Sequence, residues 1–513
     1  MPEQLFEKLK KNIPLQWKVC FAFAIAVGLF AHAYKLTNWL PNWDSLVFRY
    51  DPQNMVAMGR WFLPVVCTPS SFYDLPWLAG LLSLIIHGLG AVCICKMFDV
   101  RKCTTAALIG ASVITFPTVT SVLTYNYVAD GYAVAFLLSC LAAMLLTVEK
   151  PRYIAAIICI ALSAGIYQAY ITVTIMLLLC HLIHKALKEE TQVSHLIKKS
   201  LGFLLTGALG MALYYAIMTI MLKLTHTELL DYQGINDAFS LSGLGVLSSL
   251  YTIKHSFTDY FFDFSGGLSV FAILNCVIFA LTVVLYLADI IKQRTSIPKL
   301  LFVAVCVIFL PVGASVLAFI NGSVDYHNLM KMGFFIFYLF FILQYEKQDF
   351  KIARLNAAKA WAIFCIAVIL IFNNSIIANV SYHKLNMAYE KSYGTLVRIA
   401  DRIEQTEGSA ECDKILVIGA LADSEAYSAY LPPDMTGTTD GLILRADDEI
   451  VGQSVMCSAL NDYCGKSYTF LCGEEKKELL KNLDADSMGI WPAAGSVIVV
   501  DNVIVIKLGN EVQ

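Results

Sequence analysis

The stretch YIAAIICIALSAGIYQAYITVTIMLLLCHLI, residues 153–183, decides how this chain folds. It contains no Asp, Glu, Lys or Arg. A membrane-spanning helix needs about 17–25 apolar residues, so this run is either one very long helix or two short ones hinged at Ala164–Gly165. Flanking charge separates the two. Lys150 and Arg152 precede the run in EKPRY, and Lys185, Lys188, Lys198 and Lys199 follow it in HKALKEETQVSHLIKKS. Basic flanks stay on the cytoplasmic side, so a chain with both flanks there has crossed the bilayer twice. Two short spans follow, with Tyr167 and Gln168 at their outer hinge.

The same rule extends outward in both directions. Apolar runs lie near 19–35, 78–95, 104–122, 130–147, 153–167, 169–184, 201–221, 267–288, 300–320, 328–344 and 360–380, giving about eleven spans. Basic connections at 1–18, 96–102, 148–152, 185–200, 289–299 and 345–359 fall on one side. The opposite loops, 36–77, 123–129, 222–266 and 321–327, are aromatic and poor in Lys and Arg. The basic leader MPEQLFEKLKKNIPLQWK enters an apolar run that lacks a convincing small-x-small cleavage site, which reads as a retained first span. Of 513 residues, 58% are hydrophobic and 15% charged, with a mean hydropathy of +0.65. That composition excludes a soluble globular protein.

The net charge of −3 conceals an asymmetry. From Tyr382 onward there are 21 acids and 11 bases (−10), and before it 19 acids and 26 bases (+7). An acidic tail and a basic membrane portion belong on opposite sides of a bilayer. The expected architecture is a polytopic all-α membrane bundle over 1–380 and a small extracytoplasmic α/β domain over 381–513. The bundle has a first outer loop at 36–77, a long outer loop at 222–266 and a cytoplasmic N-terminus. No surface suits nucleic acid, and no internal repeat supports an inverted-repeat transporter.

In the tail, Leu385, Tyr389, Tyr393, Leu396, Ala400 and Ile403 share one helical face. KILVIGA reads as a strand, and SVIVVDNVIVIKL as two β-branched runs about an Asp501-Asn502 hairpin turn. Gly419 alone makes no nucleotide fingerprint. Eleven of the fifteen cysteines are scattered through apolar segments, where Cys93 and Cys95 read as packing. Cys412, Cys457, Cys464 and Cys472 lie in the tail. If it is extracytoplasmic they allow one or two disulfides, of undetermined pairing.

Candidate chemistry gathers in the outer loops. Asp44, in NWDSL, follows the first span and is hemmed by Trp39 and Trp43. Partial desolvation raises a carboxylate's pKa and suits it to act as general base; the plain alternative is a loop acid or helix N-cap. Arg60, in MGRWF, offers a planar fork for phosphate, or else snorkels to headgroups. Asp74, in SFYDLPW, opens the second span and either caps it or lines a site. Asp130, in NYVADGY, sits at the outer end of the fourth span, where acids are costly. Tyr167 and Gln168 face a dip above short spans, or belong to the interfacial aromatic belt. His327 and Lys331, in SVDYHNLMKMGF, supply cations for an anionic ligand, with an Asp325 ion pair as the alternative. Lys254 and His255 are weaker candidates of the same kind. The membrane portion holds no DxD, and the sequence no HExxH, P-loop or paired Cys–His spacing, so no metal site is expected.

The runs NWDSL, DPQNMVAMGRWF, SFYDLPWLAGLLS, FPTVTSVLTYNYVADGY and SAGIYQAY, in that order, resemble the GtrII-like bacterial glucosyltransferases of the polytopic GT-C class. The likeness extends to about residue 345, and the tail helix after Asn379 is also similar. It implies glucose transfer from a polyprenyl-phosphate donor, presented in the outer leaflet, to a surface glycan, without a further cofactor. The first-loop acid that acts as base in that class matches Asp44. The family's GR pair matches Gly59 and Arg60, its loop acid Asp74, and its YQ pair Tyr167 and Gln168. This chain departs from the pattern where relatives often carry a late-loop arginine: here stand His327 and Lys331, and the resemblance carries no phosphate role to them.

Three readings follow. The first is an inverting membrane hexosyltransferase of the bacterial cytoplasmic membrane, modifying an envelope polysaccharide. In it Asp44 is the base and Arg60 holds the donor phosphate, with Lys331 as a further cation. The second is a polysaccharide or lipid-linked sugar transporter or flippase, which predicts midplane charges and repeat symmetry that the sequence lacks. The third is a non-catalytic envelope scaffold, in which Asp44 and Arg60 are dispensable.

Overall fold

The structure is a computed structural model. It describes all residues except 1–2, 5–6, 8–11, 43, 46–54, 189–190, 231–242, 265–268, 321–323, 325, 348–351, 420–448 and 510–513. Trp43 and Asp325 therefore lie outside the described residues, as does much of the loop at 222–266. The membrane portion is built from α1 (Leu15–Thr37), α2 (Leu63–Cys67), α3 (Pro76–Met97), α4 (Cys103–Ile114), α5 (Pro117–Thr124), α6 (Ala129–Thr147), α7 (Tyr153–Ile166) and α8 (Ile171–Lys188). It continues with α9 (Val193–Thr225), α10 (Gly243–Phe262), α11 (Val270–Gln293), α12 (Ile297–Ala314), α13 (Val316–Ile320), α14 (Phe335–Leu343) and α15 (Ala353–Gln405).

Nine helical segments among the described residues are long and apolar enough to cross a bilayer. The bent pair α4–α5, broken by 42° before Pro117, makes a tenth if it is one span. Its break follows from Pro117, which lacks an N–H and pushes Phe116 into an extended conformation. The remaining expected span corresponds to α7. Its 14 residues would rise about 21 Å, short of a hydrocarbon core of about 30 Å.

The apolar run at 153–183 does break, at Tyr167, whose backbone is extended. A 3-10 turn, Gln168–Tyr170, then leads into α8. At one end of α7 the Arg152 N–H donates to Leu145 O (3.0 Å), and at the other Ser163 Oγ donates to Ala135 O (2.9 Å). Helix α7 thus runs antiparallel to α6. Helix α8 returns, from Thr174 Oγ1 donating to Ser139 O (3.1 Å) down to His181 and His184 beside Phe98. Two helices, not one long helix, occupy this stretch.

Helix α1 packs on α3 and α4, α3 on α6, α6 on α7, and α7 on α9. Lipid gives apolar side chains no reason to associate, so close backbone approach carries such contacts. At Gly110 a Cβ would stand 2.2 Å from the carbonyl oxygen of Cys20.

Helix α15 is one continuous helix of 53 residues that carries the chain from the last apolar segment into the tail. The position between residues 380 and 381 is internal to it. The tail adds β1 (Lys414–Ile418), α16 (Glu449–Cys464), β2 (Thr469–Phe470), α17 (Gly473–Asn482), β3 (Val497–Val500) and β4 (Val503–Lys507). The sheet order is β2-β1-β4-β3, with β1 parallel to both neighbours and β3–β4 antiparallel. Asp501 and Asn502 form the two-residue turn at φ 51° and 63°, the left-handed pair a type I′ hairpin requires. Strand alternation sorts the core. Ile415, Val417, Ile504 and Ile506 face Leu396, Ile399 and Ile403 of α15, while Leu416, Ile418, Val503 and Val505 face Leu479 of α17. Of the expected helical face, Tyr393 is the exception, being 42% exposed. All four tail cysteines are free thiols.

The α1–α4 contact gives a direct test. Gly110→Ala should lower the thermal stability of the purified protein by roughly 1–3 kcal/mol through overpacking. Gly207→Ala, where a Cβ meets nothing within 4 Å, should leave it unchanged. Equal effects of the two substitutions in detergent melting curves would contradict this packing.

Candidate functional site

The site residues gather where helices stop. Three 3-10 turns, Asn126–Val128, Gln168–Tyr170 and Asn328–Phe334, cluster at one end of the bundle, and the segment from Met55 to Ser70 packs beside them.

Arg60 is positioned by backbone on both sides. Its N–H donates to Met55 O (2.6 Å), and the Phe62 N–H donates to Gly165 O (2.8 Å), tying the loop to the top of α7. Gln168 completes the frame: its Nε2 donates to Met58 O (2.9 Å) and to the Tyr214 hydroxyl (2.9 Å). Gly59 makes this fit. Its φ is +76°, and a Cβ would lie 2.5 Å from Tyr214 Oη and 2.9 Å from Gln168 Nε2. The sequence pairs Gly59-Arg60 and Tyr167-Gln168 are therefore two halves of one structure.

The guanidinium of Arg60 lies 4.8 Å from the ring centroid of Tyr167, and its Nη1 donates to the Tyr132 hydroxyl at 3.4 Å. Tyr132 and Tyr167 stack at 5.0 Å, and Tyr170 closes the group edgewise. Resting an arginine on aromatic faces keeps its charge in an apolar setting. Asp44 is half-buried, and the phenol of Tyr127 lies within electrostatic range of both Asp44 and Arg60. The capping bond in its turn belongs to Asn42, whose Oδ1 accepts from the Ser45 N–H (2.9 Å) and hydroxyl (3.1 Å).

The other acids divide. Asp130 accepts from the Gly131 N–H (3.0 Å) and interacts with the Ser70 and Cys67 side chains. It anchors the end of the Arg60 segment to the start of α6. Burial beside Asp130 pushes the Cys67 thiol well above its ordinary pKa, so it remains a neutral donor. Asp74 is 8% exposed, and neither carboxylate oxygen has a hydrogen-bond partner among the described residues. It is coupled to the charge of Lys35, whose Nζ donates to Leu40 O (2.7 Å). The buried amide of Asn126 likewise lacks a partner among the described residues. Such groups are costly unless a ligand or water completes them.

Lys331 is buried, with Nζ 5.5 Å from the Tyr260 ring centroid. Its turn is pinned by Asn328, whose Nδ2 donates to Ser121 Oγ (2.8 Å) and whose carbonyl accepts from Thr118 (3.0 Å). His327 is half-buried at the start of this turn. His255 instead faces Asp259 one helical turn on (3.4 Å) in α10, and the Thr258 hydroxyl donates to the backbone carbonyl of Lys254 (2.9 Å). Among the described residues no group of three His, Cys, Asp or Glu side chains is placed to hold a metal.

Lys35, Tyr127, Tyr132, Tyr170 and Tyr214 escaped the sequence reading. Lys35 did carry a signal, a cation at the end of an apolar run. Tyr214 carried none, since it reaches Gly59 only through the packing of α9.

The family model described as Glucosyl transferase GtrII matches residues 33–344, more than half of the chain. No curated protein and no solved structure matches. The matched region contains every residue of the site described above.

Gly59→Ala should destabilise the protein, by about 1–2 kcal/mol for the backbone conformation alone. Adding Tyr214→Phe, which removes the atom nearest the new Cβ, should recover part of that loss. Thermal unfolding of both variants checks this, and purely additive losses would contradict the geometry.

Proposed function

We propose a specific reaction for this chain, which belongs to the glucosyl transferase GtrII family: transfer of glucose or a similar hexose from a polyprenyl-phosphate donor to a surface glycan at the outer face of the bacterial cytoplasmic membrane. The observation that carries the proposal is the seat of Arg60 on the Tyr167 and Tyr132 side chains at the broken ends of helices, with the phenol of Tyr127 within electrostatic range of both Arg60 and Asp44. The acceptor hydroxyl oxygen attacks the anomeric carbon of the donor and forms the new glycosidic bond. The bond from that carbon to the phosphate oxygen breaks, and its electron pair leaves with the lipid phosphate. Asp44 takes the hydroxyl proton. Arg60 neutralises the charge gathering on phosphate, with Lys331 as a further cation, so preorganised positive charge favours departure. Attack opposite the leaving phosphate inverts the anomeric carbon. The buried carboxylate of Asp74 and amide of Asn126 offer an acceptor and a donor–acceptor pair for sugar hydroxyls.

This reading takes α7 and the α4–α5 pair as crossings, giving about eleven spans in a GT-C arrangement. The basic connections are then cytoplasmic and the tail extracytoplasmic. The lipid donor serves as co-substrate, and no further cofactor is invoked.

Asp44→Asn should lower transfer from radiolabelled polyprenyl-phosphate glucose by about 10²–10⁴-fold while donor binding persists. Equal turnover of wild type and variant, reconstituted side by side, would remove Asp44 as the base.

Orientation has its own test in Cys472, an exposed tail thiol. Burial pushes the Cys457 thiol up to about 11 and raises those of Cys412 and Cys464, so all three react slowly near neutral pH. A membrane-impermeant maleimide should label intact cells, and Cys472→Ser should abolish the label. Labelling only after permeabilisation would reverse the topology.

A further inference from the structure

Four aromatic rings from three separate elements meet where the tail joins the bundle. Trp39, beyond α1, lies 6.1 Å from Tyr389 of α15 and 5.7 Å from Tyr463 of α16. Tyr389 and Tyr393 stack at 6.2 Å with an 18° interplanar angle, one helical turn apart. Tyr463 closes against both, at 6.1 and 5.8 Å. The cluster is only partly buried: Tyr393 is 42% exposed, and Trp39, Tyr389 and Tyr463 are half-buried.

Aromatic side chains at membrane proteins often belong to the interfacial belt, and height excludes that for Tyr393. The apolar stretch of α15 ends near Val380, and Tyr393 stands 13 residues further along the same helix. At 1.5 Å per residue that is roughly 20 Å beyond the hydrocarbon edge. The headgroup zone adds only about 5–8 Å on each side of the core. Tyr393 therefore stands in water, above the lipid.

Partly exposed aromatic rings suit a saccharide. A pyranose has an apolar face of C–H bonds that lies against an aromatic ring, and a rim of hydroxyls that stays hydrated. The net charge of the tail as a whole narrows the class, with 21 acids against 11 bases from Tyr382 onward. A tail of that net charge favours an uncharged polymer over a polyanionic one. The platform is also close to the site, because Trp39 precedes Asp44 by five residues in the same loop.

We propose that Trp39, Tyr389, Tyr393 and Tyr463 form a docking platform for the acceptor, an uncharged segment of glycan whose end reaches Asp44. This rests on the glycosyltransferase reading above. The platform holds the acceptor chain and takes no part in bond making, so it acts on acceptor affinity alone.

The test uses the full chain in lipid nanodiscs, with neutral polysaccharide from the producing strain's own envelope as the long acceptor. A monosaccharide methyl glycoside is the short one. Tyr393→Ala should raise the KM for the long acceptor roughly 5–20-fold, or about 1–2 kcal/mol. It should leave kcat, donor KM and every constant for the short acceptor unchanged, and Tyr393→Trp should restore the wild-type KM. An unchanged KM for the long acceptor, or equal effects on both acceptors, would reduce the cluster to packing at a junction.

Binding of the same polysaccharide, measured calorimetrically without donor, separates this proposal from the reaction it serves. Should the wild type transfer no sugar, the reaction fails, and undiminished glycan binding by Tyr393→Ala would overturn the platform as well. Equal affinity for a glycerol-phosphate polymer would overturn the uncharged class.

Discussion

A bilayer offers no water to a broken helix, and the arrangement of this protein follows from that constraint. Each interruption of the apolar helices must find hydrogen-bond partners inside the protein. The turn at Gln168–Tyr170 is received by Ser139, which donates to Tyr170 O (2.8 Å), and the end of α7 by the Phe62 N–H on Gly165 O (2.8 Å). The turn at Asn328 is received by Thr118 and Ser121 of α5, itself the second half of a bent helix. The breaks depend on one another, so they converge at one end of the bundle. The candidate site is where they converge.

Convergence also explains the electrostatics. A cation among apolar helices is expensive unless it is held by groups that tolerate it. Arg60 meets that requirement with tyrosine faces, and Lys331 lies beside one. The same end of the bundle fixes the tail. The Ile114 carbonyl can only accept, so His32 Nε2 donates to it (2.9 Å) and Nδ1 accepts from the hydroxyl of Tyr382 (2.7 Å). That pair joins α1, α4 and α15 beneath the first loop. Leu40, in the loop itself, packs with Ala378, Tyr382 and Leu385. The loop bearing Asp44 is thus seated between the bundle and the helix that carries the tail.

Much of this was legible in the sequence because it depends on local chemistry. Charge on both flanks of 153–183 pointed to two helices rather than one, and Asp501-Asn502 between β-branched runs revealed the hairpin. Gly59-Arg60 and Tyr167-Gln168 stood out as pairs, but nothing local says that Gln168 reaches the carbonyl of Met58. Such contacts come from packing between segments about a hundred residues apart. Charge patterning is equally blind to helix length, so it could not show that α7 has 14 residues or that α15 runs unbroken for 53. The roles of neighbouring polar residues were blurred for a related reason. Asn42 makes the capping bond beside Asp44, and Asp130 interacts with Cys67 and Ser70, because backbone direction settles which side chain reaches inward.

The central claim is that a lipid-linked sugar phosphate reacts between Arg60 and Asp44. The most direct measurement is an experimental structure with a non-transferable phosphonate analogue of polyprenyl-phosphate glucose in lipid nanodiscs. The phosphonate should lie within hydrogen-bonding distance of the Arg60 guanidinium, with the sugar on the Asp44 side and the prenyl chain leaving between helices. Phosphonate density away from Arg60, or a sugar turned from Asp44, would contradict it.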